Sequence, residues 1–158
     1  MVGIFDTYIK GATLDIIKFY ITGTRRGLGE KLKEKYGTVD TLEECDVFIN
    51  CKHDGFSQVD QLYLAAKLGK RIINIGSNSP DQSKNWPHIY QAQKAALDVA
   101  NNQLFYQGVN TTIVRFGLFD SPRVAQVEAA KMPINYCVDV IDWVMSQPHR
   151  VKEITVTP

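Results

Sequence analysis

Short apolar segments alternate along the chain with longer segments whose apolar residues recur at helical spacing. The short segments predict buried strands, because polar or turn residues bound each of them: Asp15–Ile21, Asp46–Cys51, Arg71–Ile75, Thr111–Phe116 and Val151–Val156. The longer segments predict helices: Glu30–Tyr36, Ser57–Leu68, His88–Tyr106 and Ile134–Ser146. Strands that alternate with helices through short loops are typical of a parallel sheet in an α/β fold.

The first fourteen residues are the hardest part of the chain to interpret. Val2–Ile9 has strand-like composition, and Gly11 interrupts the segment that follows. Thr38–Asp40 is either a very short strand or a loop. No internal repeat and no linker-like composition divides the chain, so the sequence predicts one domain over residues 1–158, with residues 1–14 as an N-terminal extension.

Composition argues against several classes of function. The 158 residues are 44% hydrophobic and carry a net charge of +1, which argues against a nucleic-acid or membrane partner. No apolar run approaches the roughly 18 residues of a membrane-spanning helix, and the first residues do not resemble a secretory signal. Cys45, Cys51 and Cys137 include no C-x-x-C pair, which predicts reduced thiols in a cytoplasmic protein and no metal site.

A glycine-rich turn joins the first predicted strand to the first predicted helix. Thr22–Gly29 places glycines at positions 23, 27 and 29. Glycines let the backbone come close to a pyrophosphate, and the first N–H groups of the following helix point toward it. The segment is therefore a candidate phosphate-binding turn, with a plain tight turn as the alternative.

A hydroxyl, a phenol and an ammonium form the second candidate site. Ser77 lies at the end of an apolar strand, and Tyr90 and Lys94 are four positions apart in a predicted helix. Residues at i and i+4 lie on the same helix face, so the Lys94 charge favours the deprotonated form of the Tyr90 phenol. A phenol tuned in this way exchanges a proton with an alcohol or carbonyl oxygen that Ser77 holds in place. An exposed Tyr–Lys pair without chemistry is the alternative.

These motifs together resemble those of the short-chain dehydrogenase/reductase family, whose members are Rossmann-fold enzymes. Five segments carry the resemblance in the family's order: Thr22–Gly29 matches T-G-x-x-x-G-x-G, Asp46–Asn50 the D-V-L-V-N strand end, Ile73–Ser77 the strand with the catalytic serine, Tyr90–Lys94 the Y-x-x-x-K motif and Arg115–Ser121 the P-G-x-x-x-T segment. Tyr90 follows Ser77 by thirteen residues, the family's usual spacing. The resemblance implies a Rossmann-like three-layer sandwich with a reduced, mostly parallel sheet of about five to six strands.

The resemblance implies hydride transfer between a nicotinamide cofactor and a small carbonyl or alcohol substrate. Tyr90 would be the general acid/base, Ser77 the orienting hydrogen-bond donor, and Lys94 a ligand to the nicotinamide ribose. The glycine turn would hold the pyrophosphate and Asn50 the adenine-side ribose. The predicted cofactor-binding residues are Gly23, Thr24, Arg25, Arg26, Gly27, Leu28, Gly29, Asp40, Asn50, Cys51, Lys52, Tyr90, Lys94, Phe116, Gly117 and Ser121.

Two features bear on the choice between NADP and NAD. Arg25 and Arg26 in the glycine turn can pair with a ribose 2′-phosphate, which favours NADP. Asp40 lies seventeen residues after Gly23, near the distance at which NAD enzymes place the acid that binds a ribose 2′-hydroxyl. Asp40 is equally a capping residue at the start of a loop. The sequence favours NADP, with NAD as the alternative.

The chain departs from the family in three places. The segment between the glycine turn and Asp46 is too short for the strand, helix and strand of a full-length relative. The family's catalytic asparagine has no assignable counterpart. The family's N-N-A-G segment is replaced by residues 50–53, in which Lys52 and His53 either fill space or contact a phosphate; an exposed loop histidine is the other interpretation of His53.

These departures leave two main functions open. The first is an NAD(P)-dependent oxidoreductase, and the second is a dinucleotide-binding regulatory or structural protein with little or no turnover. The resemblance suggests a homodimer or homotetramer built on Ser57–Leu68 and His88–Tyr106. The shortened sheet predicts an unpaired outer edge on the first strand, which Val2–Ile9 or another subunit would cover.

Two loops are expected to determine the substrate. Ser79–Pro87 and Ser121–Pro133 flank the predicted catalytic residues, and neither carries a diagnostic pattern. Trp86, Met132 and Tyr136 either line a pocket there or serve in packing.

Overall fold

The computed structural model describes residues 16–23 and 26–158. It contains strands β1 (Phe19–Ile21), β2 (Val47–Asn50), β3 (Arg71–Ser77), β4 (Thr111–Phe116) and β5 (Glu153–Val156). Its α-helices are α1 (Leu28–Tyr36), α2 (Ser57–Lys67), α3 (Ile89–Tyr106) and α4 (Ile134–Ser146). Short 3-10 turns lie at Ser79–Asp81 and Pro122–Val124. The predicted strands and helices are confirmed, although β1 covers only Phe19–Ile21 of the predicted Asp15–Ile21 and Asp15 lies outside the described residues. Thr38–Asp40 is a loop, and Val2–Ile9 also falls outside the described residues.

The five strands form one sheet in the order β1-β2-β3-β4-β5, and each neighbouring pair is parallel. Helices α1 and α4 pack on one face of the sheet and α2 and α3 on the other, which confirms the Rossmann-like three-layer architecture. In a sheet of consecutive parallel strands, a connection over one face has the opposite hand to a connection over the other. Two of the four crossovers are therefore left-handed, against the strong general preference for right-handed connections.

Alternate residues of the short strands supply the two cores. In β2, Val47 and Ile49 pack against α1 and α4, while Phe48 packs against α2 and α3. All three side chains are buried, which explains why this strand reads as a continuous apolar run rather than an alternating one.

A chain of buried polar side chains crosses the sheet beneath α2 and α3. Asn50 donates to Asn74 over 2.9 Å, and Asn74 donates to Asn101 and Thr111, each over 3.1 Å. Asn101 also donates to the carbonyl of Lys152 over 3.0 Å. Because these amides and the hydroxyl have mutual partners, they link β2, β3, β4 and α3 without an unpaired buried group.

The outer edge of β1 is met in part by the loop after α1. The backbone N–H of Val39 donates to the carbonyl of Phe19 over 2.7 Å, and the N–H of Ile21 donates to the hydroxyl of Thr38 over 3.0 Å. The predicted exposed edge is thus covered at these groups by the chain's own loop.

Among residues 16–23 and 26–158, no helix combines the length and apolarity that crossing a bilayer requires.

Candidate functional site

A cavity of about 1250 Å³ opens at the carboxyl ends of β1 to β4. This edge is where open parallel sheets usually bind their ligands. The lining comes from the glycine turn, the strand ends, the start of α3 and the segment after β4: Gly23, Arg26, Gly27, Leu28, Gly29, Cys51, Lys52, His53, Ile75, Gly76, Ser77, Asn78, Gln82, Tyr90, Lys94, Phe116, Gly117, Leu118, Phe119, Ser121, Pro122, Arg123 and Val124. The cavity thereby unites the two sites that the sequence predicts.

The glycine turn is shaped by positive backbone angles and close packing. Gly23 and Gly27 have φ of 132° and 150°, which side-chain-bearing residues rarely adopt. A Cβ on Gly29 would lie 3.1 Å from the carbonyl oxygen of Thr22, so this position needs glycine to bring α1 against β1. Among residues 16–23 and 26–158, no atom lies within 4 Å of a Cβ built on Gly27, so these residues leave space beside it for a ligand. Lys33 donates to the carbonyl of Gly23 over 3.1 Å and holds the turn from α1.

Thr22 joins the glycine turn to the end of β2. Its hydroxyl accepts hydrogen bonds from the backbone N–H groups of Cys51 and Lys52, each over 3.1 Å. The Cys51 sulfur lies against Gly23, and burial raises the pKa of the Cys51 thiol to about 11. The thiol is therefore neutral at physiological pH and acts as packing in the cavity wall.

Ser77, Tyr90 and Lys94 line the same cavity. The Ser77 oxygen accepts a hydrogen bond from the N–H of Ser79 over 3.0 Å, which leaves its own O–H to donate. The Lys94 ammonium lies 5.7 Å from the centre of the Tyr90 ring. It is buried, and burial lowers the pKa of Lys94 to about 8.

Two histidines flank the Tyr90 ring. His53 meets it edge-on, with ring centres 4.9 Å apart, and His88 lies 5.9 Å away. Burial, followed by the nearby charge of Lys94, lowers the pKa of His53. His53 is half-buried and lines the cavity, so it is a cavity residue beside the phenol rather than an exposed loop residue.

The cavity is basic. Arg26, Lys52, Lys94 and Arg123 line it, and no Asp or Glu is among its described lining residues. The whole chain, by contrast, has a net charge of only +1. Positive charge is thus concentrated where the glycine turn and the strand ends meet, which suits an anionic ligand.

Several solved structures of dehydrogenases share this architecture. A short-chain dehydrogenase from Burkholderia cenocepacia J2315 in complex with NADP matches with a TM-score of 0.65 and 16% identity, over 88% of this chain and 87% of that one. An alcohol dehydrogenase from the archaeon Thermococcus sibiricus with 5-hydroxy-NADP matches with a TM-score of 0.68 and 13% identity, over 89% and 95%. This chain has the short-chain dehydrogenase fold.

A 4-hydroxyisoleucine dehydrogenase complexed with NADH shares the fold as well, with a TM-score of 0.61 and 14% identity, over 89% of this chain and 96% of that one. No protein-family model and no curated protein sequence matches the chain. At these identities the likeness establishes the fold alone.

Most of the predicted site residues on the short-chain dehydrogenase fold meet at the cavity. The predicted residues that line it are Gly23, Arg26, Gly27, Leu28, Gly29, Cys51, Lys52, Ser77, Tyr90, Lys94, Phe116, Gly117 and Ser121. Asp40 is exposed in the loop after α1, and Asn50 is buried with its amide turned to Asn74 and to the carbonyl of Gln58, so neither lines the cavity. Thr24 and Arg25 lie outside the described residues.

Gln58 and Arg123 are functional candidates that the sequence did not single out. Gln58 belongs to the buried face of α2 together with Leu62 and Ala65, at helical spacing. A polar residue in that apolar stripe was the available signal. Arg123 lies in the short turn after β4, and no local sequence pattern predicts that it lines the cavity.

The loop after β3 is fixed by Arg115 of β4. Its guanidinium donates to both carboxylate oxygens of Asp81, over 2.7 and 2.9 Å, and also approaches Asp98 at 3.4 Å and Glu153 at 3.3 Å. Burial raises the pKa of Asp98 to about 6. The ion cluster therefore ties the predicted substrate loop Ser79–Pro87 to the sheet.

Three residues proposed either to line a pocket or to pack do not line the cavity. Met132 is buried in the core between the sheet and α4, which agrees with packing. Trp86 and Tyr136 are exposed at the surface.

Proposed function

We propose that the protein is an NAD(P)-dependent oxidoreductase that transfers hydride between a nicotinamide cofactor and a small carbonyl or alcohol substrate. The observation that carries the proposal is one cavity in which Ser77, Tyr90 and Lys94 lie beside an open glycine turn. A binding scaffold without chemistry has no physical need for those three groups together.

The residues present fit a dinucleotide. None of the described residues fills the space over Gly27 or caps the N-terminus of α1 with a side chain, so the first backbone N–H groups of α1 are available to a pyrophosphate. Arg26 and Lys52 supply positive charge on the same side. The Lys94 ammonium, which lines the cavity, would donate a hydrogen bond to the nicotinamide ribose. NADP or NAD, when bound, supplies the hydride-carrying ring.

The chain's own chemistry is proton transfer at the substrate oxygen. During carbonyl reduction Tyr90 donates its phenolic proton to that oxygen, and during alcohol oxidation it accepts the proton. Ser77 donates a hydrogen bond to the same oxygen and orients it. The positive charge of Lys94 lowers the cost of the phenolate that forms.

NADP is the preferred cofactor in this proposal. Arg26 lines the cavity, whereas Asp40, the candidate acid for a ribose 2′-hydroxyl, does not. A guanidinium beside the cavity favours a 2′-phosphate over a bare 2′-hydroxyl.

A dinucleotide-binding regulatory protein with little turnover is the second candidate. It is favoured by the open adenosine side of the site, since none of the described residues between Gly29 and Cys51 lines the cavity.

We also propose that the protein self-associates as a homodimer through α2 and α3. Ile89, Val99 and Tyr106 lie 69%, 68% and 72% exposed, at spacings that place them on one side of α3. Leu64 of α2 and Phe56, which directly precedes α2, add exposed apolar surface, and α2 packs beside α3. An apolar helix face of this extent is typical of an interface between subunits. A homotetramer would require a second interface.

The function is tested by titrating the protein with NADPH and NADH and then assaying a panel of small carbonyl compounds. We expect tighter binding of NADPH and carbonyl-dependent oxidation by the wild type. Binding without oxidation across the panel would favour the regulatory candidate. Absence of binding to either dinucleotide would reject both candidates.

A further inference from the structure

The side chain of Gln58, which is not part of the predicted site, forms a hydrogen bond with Lys94. Gln58 lies in the first turn of α2 and is 3% exposed. Its Oε1 accepts a hydrogen bond from the Lys94 ammonium over 2.8 Å. The same ammonium donates to the carbonyl of Ile75 over 3.2 Å. Both contacts are buried, so water does not compete for them.

The orientation of the Gln58 amide is determined by its other partners. Its Nε2 donates to the carbonyls of Asn50 and Ile75, over 2.8 and 3.1 Å. Carbonyl oxygens only accept, so the nitrogen must face them and the oxygen must face Lys94. Asn50 reinforces the arrangement, because its amide donates to the backbone carbonyl of Gln58 over 2.8 Å. Asn50 of β2 and Ile75 of β3 therefore fix the position of the Gln58 amide, and we call this pair of residues the socket.

The socket limits what the Lys94 ammonium can do. An ammonium has three N–H donors, and Gln58 and Ile75 accept from two of them. The remaining donor is the one available to a ligand, because Lys94 lines the cavity. Lysine is otherwise a flexible side chain whose head group samples many positions.

We infer that Gln58 is a positioning residue, whose amide holds the Lys94 ammonium with one donor directed into the cavity. The inference rests on the proposed function only for what that donor then binds. The two acceptors of the Lys94 ammonium, on Gln58 and Ile75, are both neutral. The charged groups that act on Lys94 therefore lie farther away. Asp98 favours the charged form of Lys94 and Arg123 opposes it, while His53 and the neutral Cys51 thiol face the same region.

The direct test measures the pKa of Lys94 in the apo protein by NMR. The lysines are labelled at Cε, and the Lys94 signal is assigned by its loss in Lys94→Met. Gln58→Glu places a carboxylate against the ammonium, so we expect the pKa of Lys94 to rise by about one unit or more. Gln61→Met, on the same helix, is the control and should leave it unchanged. An unchanged Lys94 titration in Gln58→Glu would overturn the inference.

Dinucleotide affinity supplies a second readout through a double-mutant cycle. Gln58→Met should weaken NADPH binding about tenfold in the wild-type background and less than twofold in the Lys94→Met background. Equal losses in both backgrounds would show a structural role and contradict the inference. If circular dichroism shows that Gln58→Met does not fold, Gln58→Glu is used in the same cycle, with the same criterion of coupling. If the wild type binds no dinucleotide the proposed function fails, while the lysine titration still decides the role of Gln58.

Discussion

Lys94 is the side chain on which the contacts around the cavity converge. It donates to Gln58 and Ile75, lies near the Tyr90 ring and lines the cavity. The ordinary pKa of lysine is about 10.5, and burial lowers the pKa of Lys94 to about 8. The charge that the proposed function requires is therefore present only below about pH 8 in the free protein.

Dinucleotide affinity should accordingly depend on pH. Below pH 8 Lys94 is protonated and attracts the anionic ligand, whereas above pH 8 the free protein must take up a proton to bind it. We expect the dissociation constant of NADPH to rise by up to about tenfold per pH unit above pH 8. Isothermal titration calorimetry from pH 7 to 9.5 measures the effect, with Lys94→Met as the control that should lack the slope. A flat profile in the wild type would show that Lys94 does not bind the ligand.

At the scale of single elements, two glycines of the glycine turn have different roles, one in packing and one in ligand access. Gly29 brings α1 close to β1, whereas none of the residues that the structure describes lies within 4 Å of a Cβ on Gly27. The sequence motif does not distinguish the two roles, because both positions are simply glycine. Only the path of the chain shows which one faces protein.

Alanine at these two positions should therefore have different consequences. Gly29→Ala forces a Cβ to 3.1 Å from the carbonyl oxygen of Thr22, and we expect a loss of about 1–3 kcal/mol in the free energy of unfolding. Gly27→Ala carries a cost of about 1 kcal/mol for its positive φ and removes the open space, so NADPH binding should suffer more than stability. Chemical denaturation and ligand titration measure both quantities. Equal effects on binding and stability in the two variants would contradict this division.

The cluster around Arg115 makes a prediction about stability and pH. Three carboxylates surround one guanidinium, and burial holds the pKa of Asp98 at about 6. Between about pH 4 and pH 6 the folded protein retains a proton that the unfolded chain has lost, so the contribution of Asp98 to the free energy of unfolding decreases as pH rises through that window and is constant above it.

Asp98→Asn removes this titration and should raise the free energy of unfolding at pH 7 by about 1 kcal/mol. Urea denaturation between pH 4 and 8 measures the difference between variant and wild type. That difference should grow from pH 4 to 6 and then stay level. Asp139→Asn, exposed on α4, is the control, and a destabilised Asp98→Asn at pH 7 would show that Asp98 acts chiefly as a partner of Arg115.

At the scale of the whole molecule, the described part of the chain forms a five-stranded sheet with β1 at one edge. The sequence predicted the reduced sheet because too few residues separate the glycine turn from Asp46, and the structure confirms five consecutive parallel strands. Strand and helix assignments followed from local apolar patterns. The extension of β3 to Ser77 did not, because Gly76 and Ser77 are held by pairing with Arg115 and Phe116 of β4.

The candidate site divides in the same way. Ser77, Tyr90, Lys94 and the glycines belong to local motifs that sequence reasoning finds. The partners of these residues come from distant parts of the chain: Gln58 reaches Lys94 from α2, and Asn50 turns away into a buried amide chain. Such contacts depend on tertiary packing and produce only weak local patterns in the sequence.

The exposed helix face of α2 and α3 leads to a prediction about assembly. Val99 is 68% exposed at the middle of the apolar side of α3, so Val99→Glu should dissociate the proposed homodimer with little change in monomer stability. Sedimentation equilibrium measures the mass. Tyr136→Glu, on α4 at the opposite face of the sheet, is the matched control. A monomeric wild type would refute the proposed interface.

The central claim is that Tyr90 exchanges the proton in a hydride-transfer reaction. The most direct measurement is carbonyl-dependent NADPH oxidation by Tyr90→Phe and the wild type, with the dissociation constant of NADPH determined on the same samples and Tyr136→Phe as control. We expect a loss of turnover of about 10²–10⁴-fold in Tyr90→Phe with NADPH affinity nearly unchanged. Turnover in Tyr90→Phe equal to that of the wild type would contradict the claim.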